Sequence, residues 1–140
     1  DIIDVLYEET TEDIQKIAKE IQQYDEAYHL VDKSDDIKEL YEQFRDWILG
    51  LTTDLDVHPK KMYIAFRKGK RNYVYMSIGT KQIRIWLNMP FNQLDDPKQL
   101  AKDVTNIGHW GNGDCEVIVS DTENLEYILS LIKQTLKWII

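Results

Sequence analysis

Between residues 57 and 94 the chain carries eight bases and not one carboxylate: Lys60, Lys61, Arg67, Lys68, Lys70, Arg71, Lys81 and Arg84. Tyr63, Tyr73, Tyr75 and Trp86 are interleaved among them. Cations hold phosphates and flat aromatic rings stack on nucleobases, so this mixture is the chemistry of a single-strand nucleic-acid platform. The flanks have the opposite sign. Residues 1–56 hold 17 acids and 5 bases, and residues 95–140 hold 8 acids and 4 bases, so a net charge of −8 conceals a strongly basic centre. Such asymmetry points to an anionic partner, DNA or RNA. The competing reading is internal: acidic helices neutralise basic strands and nothing else is bound.

The second chemical feature is the run Asn106, Ile107, Gly108, His109, Trp110, Gly111, Asn112, Gly113 and Asp114. Its glycines let a backbone approach a ligand closely, and His109 and Trp110 have rings to stack on a base. This makes it the pocket of an alternative function, a small-ligand sensor or protein-interaction module. It is not a Walker loop, because no Lys-Ser/Thr follows and a strand pattern comes next. A tight connection with Trp110 at the core edge explains the same glycines without any ligand. An acid–base pair of His109 and Asp114 is a third and weaker reading.

Other chemistry finds less support. The donors His29, His58, His109 and Cys115 sit at no metal-ligand spacing, so no metal and no cofactor is expected. Cys115 falls on the apolar side of an alternating run and reads as a buried, inert thiol. Asp114 and Glu116 at a strand start invite comparison with a nuclease site, but Val117 and Ile118 stand where a catalytic lysine is needed, so no catalytic residue is assigned. A single cysteine among 140 residues excludes an internal disulfide and suits the cytoplasm. No apolar run is long enough to span a bilayer.

The elements that must position these groups follow from periodicity. Ile14, Ile17, Ala18, Ile21 and Tyr28 mark a first helix with a thin apolar stripe. Ser34 caps a second helix whose face is Ile37, Leu40, Tyr41, Phe44, Ile48 and Leu51. The period then drops to two. Strands are expected over residues 62–66, 73–78 and 83–87, with Tyr73 and Tyr75 sharing one face. Asp96, Pro97 and Gln99 open a short helix with Leu100, Ala101 and Val104 inward. A fourth strand carries Cys115, Val117 and Val119. Ser120 and Glu123 form a capping box before a last helix with Leu125, Ile128, Leu129, Ile132, Leu136 and Ile139 on one face. The expectation is an α+β fold: a mainly antiparallel four-stranded sheet with helices packed on it, in the order α-α-β-β-β-α-β-α. Residues 34–140 form one domain, and residues 1–33 are a linker or partner-binding helix.

Several strings carry a resemblance: Lys61-Met-Tyr-Ile-Ala-Phe-Arg-Lys-Gly-Lys, Ile85-Trp-Leu-Asn, Leu94-Asp-Asp-Pro-Lys and Ala101-Lys-Asp-Val-Thr-Asn-Ile-Gly-His-Trp-Gly-Asn-Gly-Asp. Over residues 34–137 the chain resembles the C-terminal domain of unknown function found in bacterial and archaeal proteins labelled "predicted transport protein". The resemblance implies an N-terminal nuclease-like domain of the PD-(D/E)xK type ahead of it, but supplies no catalytic residues to transfer. The expected function is a non-catalytic accessory module of a nuclease-like or defence-type protein. It would position nucleic acid through the basic sheet; in the alternative sensor or interaction module, the acidic helices would face another subunit, such as a second copy of the chain.

Overall fold

A computed structural model describes residues 24–107 and 113–138. The order is α1 (Glu26–Leu30), α2 (Asp35–Leu49), β1 (Asp56–Pro59), β2 (Ile64–Lys68), β3 (Arg71–Ile78), β4 (Ile83–Leu87), a 3-10 turn (Phe91–Gln93), β5 (Lys102–Asp103), β6 (Cys115–Val119) and α3 (Leu125–Lys137). The strands form one antiparallel sheet in the order β1-β2-β3-β4-β6-β5. The fold is α+β as expected, but the sheet has six strands rather than four.

Two edge strands escape a period-two pattern for different reasons. β1 is four residues including His58 and Pro59, with no alternation of apolar side chains. β5 is two exposed polar residues, Lys102 and Asp103, lying where a helix was expected. The Asp96 carboxylate does cap backbone donors there, but those of a turn: it accepts from Leu100 N at 3.2 Å and Ala101 N at 2.7 Å. Gln99 adopts φ 55°, a left-handed conformation that no α-helix continues through.

Helix boundaries follow their caps. Ser34 Oγ accepts from Ile37 N at 3.2 Å, as expected. The expected capping box at Ser120 does not form: α3 starts at Leu125 behind Asn124, and the nearby Asp121 carboxylate accepts from Glu123 N instead. The first expected helix lies largely outside the described residues. Within them, α1 is a single short helix opened by Asp25, whose carboxylate accepts from Tyr28 N at 2.8 Å.

Packing uses one face of the sheet. Ile64, Phe66, Val74, Met76, Ile83, Ile85, Leu87, Cys115 and Val117 alternate along four strands and meet Tyr41, Phe44 and Ile48 of α2 and Ile128, Leu131 and Ile132 of α3. All of these are nearly or fully buried, and each such side chain contributes roughly 1.5–3 kcal/mol by leaving water. The Tyr41 hydroxyl donates to Glu26 Oε2 at 2.6 Å, and Arg45 Nη1 reaches the same oxygen at 2.9 Å. Burial, then the Glu26 bond, pushes the Tyr41 phenol well above its ordinary pKa. α1 is thereby tied to α2 although it has no buried residue of its own.

Candidate binding face of the sheet

No described helix covers the opposite face. Ala65, Tyr75, Trp86 and Val104 form a small second cluster there, with Tyr63 against it and its ring edge-on to Tyr75 at 5.2 Å. Beside this cluster runs an open groove of about 800 Å³. The β3–β4 turn closes one end with Thr80 and Lys81, Arg84 and Trp86 rise from β4, and Lys102, Glu116 and Ile118 come from β5 and β6. Ile107 lines it where the chain leaves β5.

Three cations and one carboxylate face this groove. Arg84 Nε stands 3.8 Å from Glu116 Oε1, a long contact, with the arginine side chain 54% exposed and the glutamate 11% exposed. Lys81 and Lys102 are exposed. Of the eight bases between residues 57 and 94, Arg84 alone has a carboxylate within 4 Å among the described residues. Among the described residues, the acidic helices therefore do not neutralise this charge pair by pair.

The basic residues do not form one surface. Lys60 and Lys61 sit in the β1–β2 turn, at the same end of the sheet as Lys81. Arg67, Lys68, Lys70 and Arg71 surround the β2–β3 turn at the other end. β3 separates the ends with eight residues, roughly 25 Å at about 3.3 Å per residue, well beyond a Debye length of about 8 Å. Lys68 and Lys70 are exposed, while Arg67 Nε donates back to Gly69 O at 3.1 Å.

Two rings of the expected aromatic platform are buried. Tyr75 is 1% exposed and Trp86 2%, so neither ring is open to a base. Tyr73 does not share the Tyr75 cluster either. The β2–β3 register passes from Phe66↔Val74 to Arg67↔Asn72, leaving Tyr73 as the extra residue of a bulge, and it packs against the helix-side core. A bulge shifts the pleat by one, which period-two reasoning does not register.

Sequence reasoning also missed groove residues. Lys102 was hidden in the wrongly expected helix. Glu116 and Ile118 were readable, since they alternate with Cys115, Val117 and Val119; Ile118 is 50% exposed. Within the glycine-rich run, Asn106 is exposed, Asp114 is half-buried with its carbonyl accepting from Val104 N at 2.9 Å, and Gly113 is buried. Gly108, His109, Trp110, Gly111 and Asn112 lie outside the described residues. Cys115 is fully buried, and burial pushes its thiol up to about 12, which makes it a poor nucleophile. Among the described residues no group of three or more His, Cys, Asp and Glu side chains is placed to hold a metal. No described helix is long and apolar enough to cross a membrane.

Two histidines flank the basic end. His29 Nε2 lies 2.6 Å from Lys60 O; the carbonyl only accepts, so this nitrogen carries the proton. Burial is the main cause lowering the pKa of both His29 and His58, with Arg67 and Lys60 adding to the effect at His58. A depressed folded-state pKa means that the unfolded chain binds protons more readily. The stability these groups contribute is present above the unfolded histidine value of about 6.5 and is lost as pH falls through it and below. The unfolding midpoint is thus expected to drop between pH 7.5 and 5.5, and a His29→Gln, His58→Gln variant should show a flatter profile; parallel profiles would contradict this origin.

The geometry defines an α+β domain with one helix-covered sheet face and a second face that no described helix covers, lined by Lys81, Arg84 and Lys102. Residues 26–135 match the model of a family described as a domain of unknown function (DUF5655), and the chain belongs to that family. It is 53% identical over 121 residues to an "Uncharacterized protein" of Haemophilus influenzae, an alignment covering 86% of this chain and 40% of that protein. The chain thus spans less than half the length of this curated relative. No solved structure matches. Neither match carries the transport label or the nuclease context that the resemblance implied.

Proposed function

We propose that this domain is a non-catalytic accessory module that holds nucleic-acid phosphates along the open face of its sheet. One observation carries the reading: the face that no described helix covers is also where Lys81, Arg84 and Lys102 converge on a groove of about 800 Å³. Cations gathered on a concave surface focus potential and attract a polyanion even when the molecule as a whole is acidic. With Tyr75 and Trp86 buried, contact is to phosphates rather than by stacking, so binding is sequence-tolerant and salt-sensitive. The longer relative supports a modular arrangement, and the nuclease-like partner domain implied by the resemblance is the one we propose.

The test is titration of short single- and double-stranded oligonucleotides at low salt. Dissociation constants on the order of 10⁻⁴–10⁻⁶ M are expected, as for non-specific contacts. Three phosphate contacts give a log–log salt slope of about −2 for single strands. Replacing Lys81, Arg84 and Lys102 by Ala should weaken binding ten-fold or more with the fold intact, whereas Lys68→Ala with Lys70→Ala should change it little. No binding by the unaltered protein, or equal binding by the triple variant, would remove this reading.

A further inference from the structure

We propose that Arg71, on the helix side of the sheet and at the end remote from the groove, is a bidentate receptor for a phosphate oxyanion. This site is separate from the open face and does not depend on it.

The argument begins with which atoms lack partners. Nε and Nη2 of Arg71 are both shielded from solvent, and neither has a hydrogen-bond partner among the described residues. These two nitrogens are not an arbitrary pair. They form one edge of the guanidinium, with parallel N–H bonds spaced to meet two oxygens of a single phosphate or carboxylate. The edge suited to such an anion is thus the one left unsatisfied. Leaving charged donors shielded and unpaired is costly, and native folds seldom do so without reason.

The guanidinium is parked on an aromatic face: its central carbon lies 4.9 Å from the centroid of the Tyr73 ring. Tyr73 is the bulge residue, and Asn88 pins the bulge twice: its backbone N donates to Tyr73 O at 3.0 Å and its Nδ2 to Asn72 O at 2.7 Å. Bulges re-aim side chains in this way beside binding sites. No described carboxylate lies within 4 Å of Arg71 to occupy the fork. Arg67, Lys68 and Lys70 on the same hairpin raise the local positive potential, which favours the more highly charged phosphate over a carboxylate. Arg71 as a whole is only partly buried, so a rotation off the Tyr73 face presents the fork outward.

The test uses the intact chain and the Arg71 Nε–H resonance. Inorganic phosphate is added at constant pH, with sodium chloride at equal ionic strength as the reference. A saturable shift with phosphate and none with chloride is expected. Arg71→Lys keeps the charge but has no fork, so phosphate affinity should fall at least ten-fold while the amide spectrum stays native. A short oligonucleotide without terminal phosphate forms the second arm. A response there as well assigns the source to a diester backbone, and a response to inorganic phosphate alone assigns it to a free phosphoryl group. The Lys81, Arg84, Lys102 triple variant should retain the phosphate response whatever happens to its oligonucleotide binding. The absence of a saturable shift in both arms, a response to acetate equal to that to phosphate, or undiminished affinity in Arg71→Lys would overturn the proposal. Should Arg71→Lys not fold, the phosphate-against-chloride comparison on the unaltered protein decides it.

Discussion

Asp96→Ala is expected to destabilise the domain by roughly 2–4 kcal/mol, although Asp96 lies in a loop and is only half-buried. Its carboxylate accepts from Leu100 N and Ala101 N, and from the Tyr127 hydroxyl of α3 as well. Bonds to a charged acceptor are each worth about 1.5–3 kcal/mol, and Ala101 is buried, so its N–H cannot readily turn to water instead. The same loop is tied to α3 a second time: Gln134 donates to Asp95 O and accepts from Asp95 N, both at 2.8 Å. Asp96→Ala therefore keeps the fold but loosens the path by which the chain enters β5. Chemical denaturation should show a lower midpoint with an unchanged slope. Asp96→Asn, which keeps an acceptor oxygen, should recover part of the loss. A shift below about 0.5 kcal/mol, the size of an ordinary surface change, would show that the loop does not depend on this carboxylate.

This loop also shows what the sequence could and could not convey. Asp96 followed by Pro97 and Gln99 reads as a helix start, and the capping chemistry is real. What linear reasoning lacks is the conformation of Gln99, whose φ of 55° turns the chain away and frees Lys102 and Asp103 to pair with Glu116 and Cys115. β4 and β6 were legible to the residue, because Ile83, Ile85 and Leu87, and Cys115, Val117 and Val119, alternate against a single buried face. β2 begins later than expected. Met62 is apolar and in phase but 41% exposed, and the turn closed by Lys60 N to Tyr63 O displaces it from the strand.

The candidate site was less legible than the fold. Charge asymmetry singled out residues 57–94, and of their eight bases only Arg84 has a carboxylate within 4 Å among the described residues. Their division between two ends of the sheet depends on strand direction, and only a paired register reveals it. The choice of Tyr73 and Tyr75 as exposed rings failed for two reasons. The bulge placed Tyr73 against the helix-side core, and Val104, arriving from beyond β5, joins Tyr75 and Trp86 in the second cluster. Neither is encoded in local periodicity; both arise from contacts between distant segments.

Gly113→Ala is expected to cost about 2–3 kcal/mol, near the upper range for forcing one extra carbon into a packed site. A Cβ at this position would lie 2.8 Å from Leu87 O and 3.1 Å from Leu87 C. Both are backbone atoms of β4, which is hydrogen-bonded to β3 on one side and β6 on the other, so the strand cannot move aside without breaking ladder bonds. Gly69 provides the contrast. An added Cβ there meets nothing within 4 Å, but the residue holds φ +62°, so Gly69→Ala should cost about 1–2 kcal/mol through backbone strain alone, and Gly69→Asn less. The comparison separates two meanings of the glycine-rich run. If Gly113 is required by the approach of its own chain to β4, Gly113→Ala lowers the unfolding midpoint and, once folded at low temperature, binds oligonucleotides as before. If instead the midpoint is unchanged and ligand binding is lost, the glycine serves a ligand, and the pocket of the sensing-module reading lies at the end of the sheet where β6 begins.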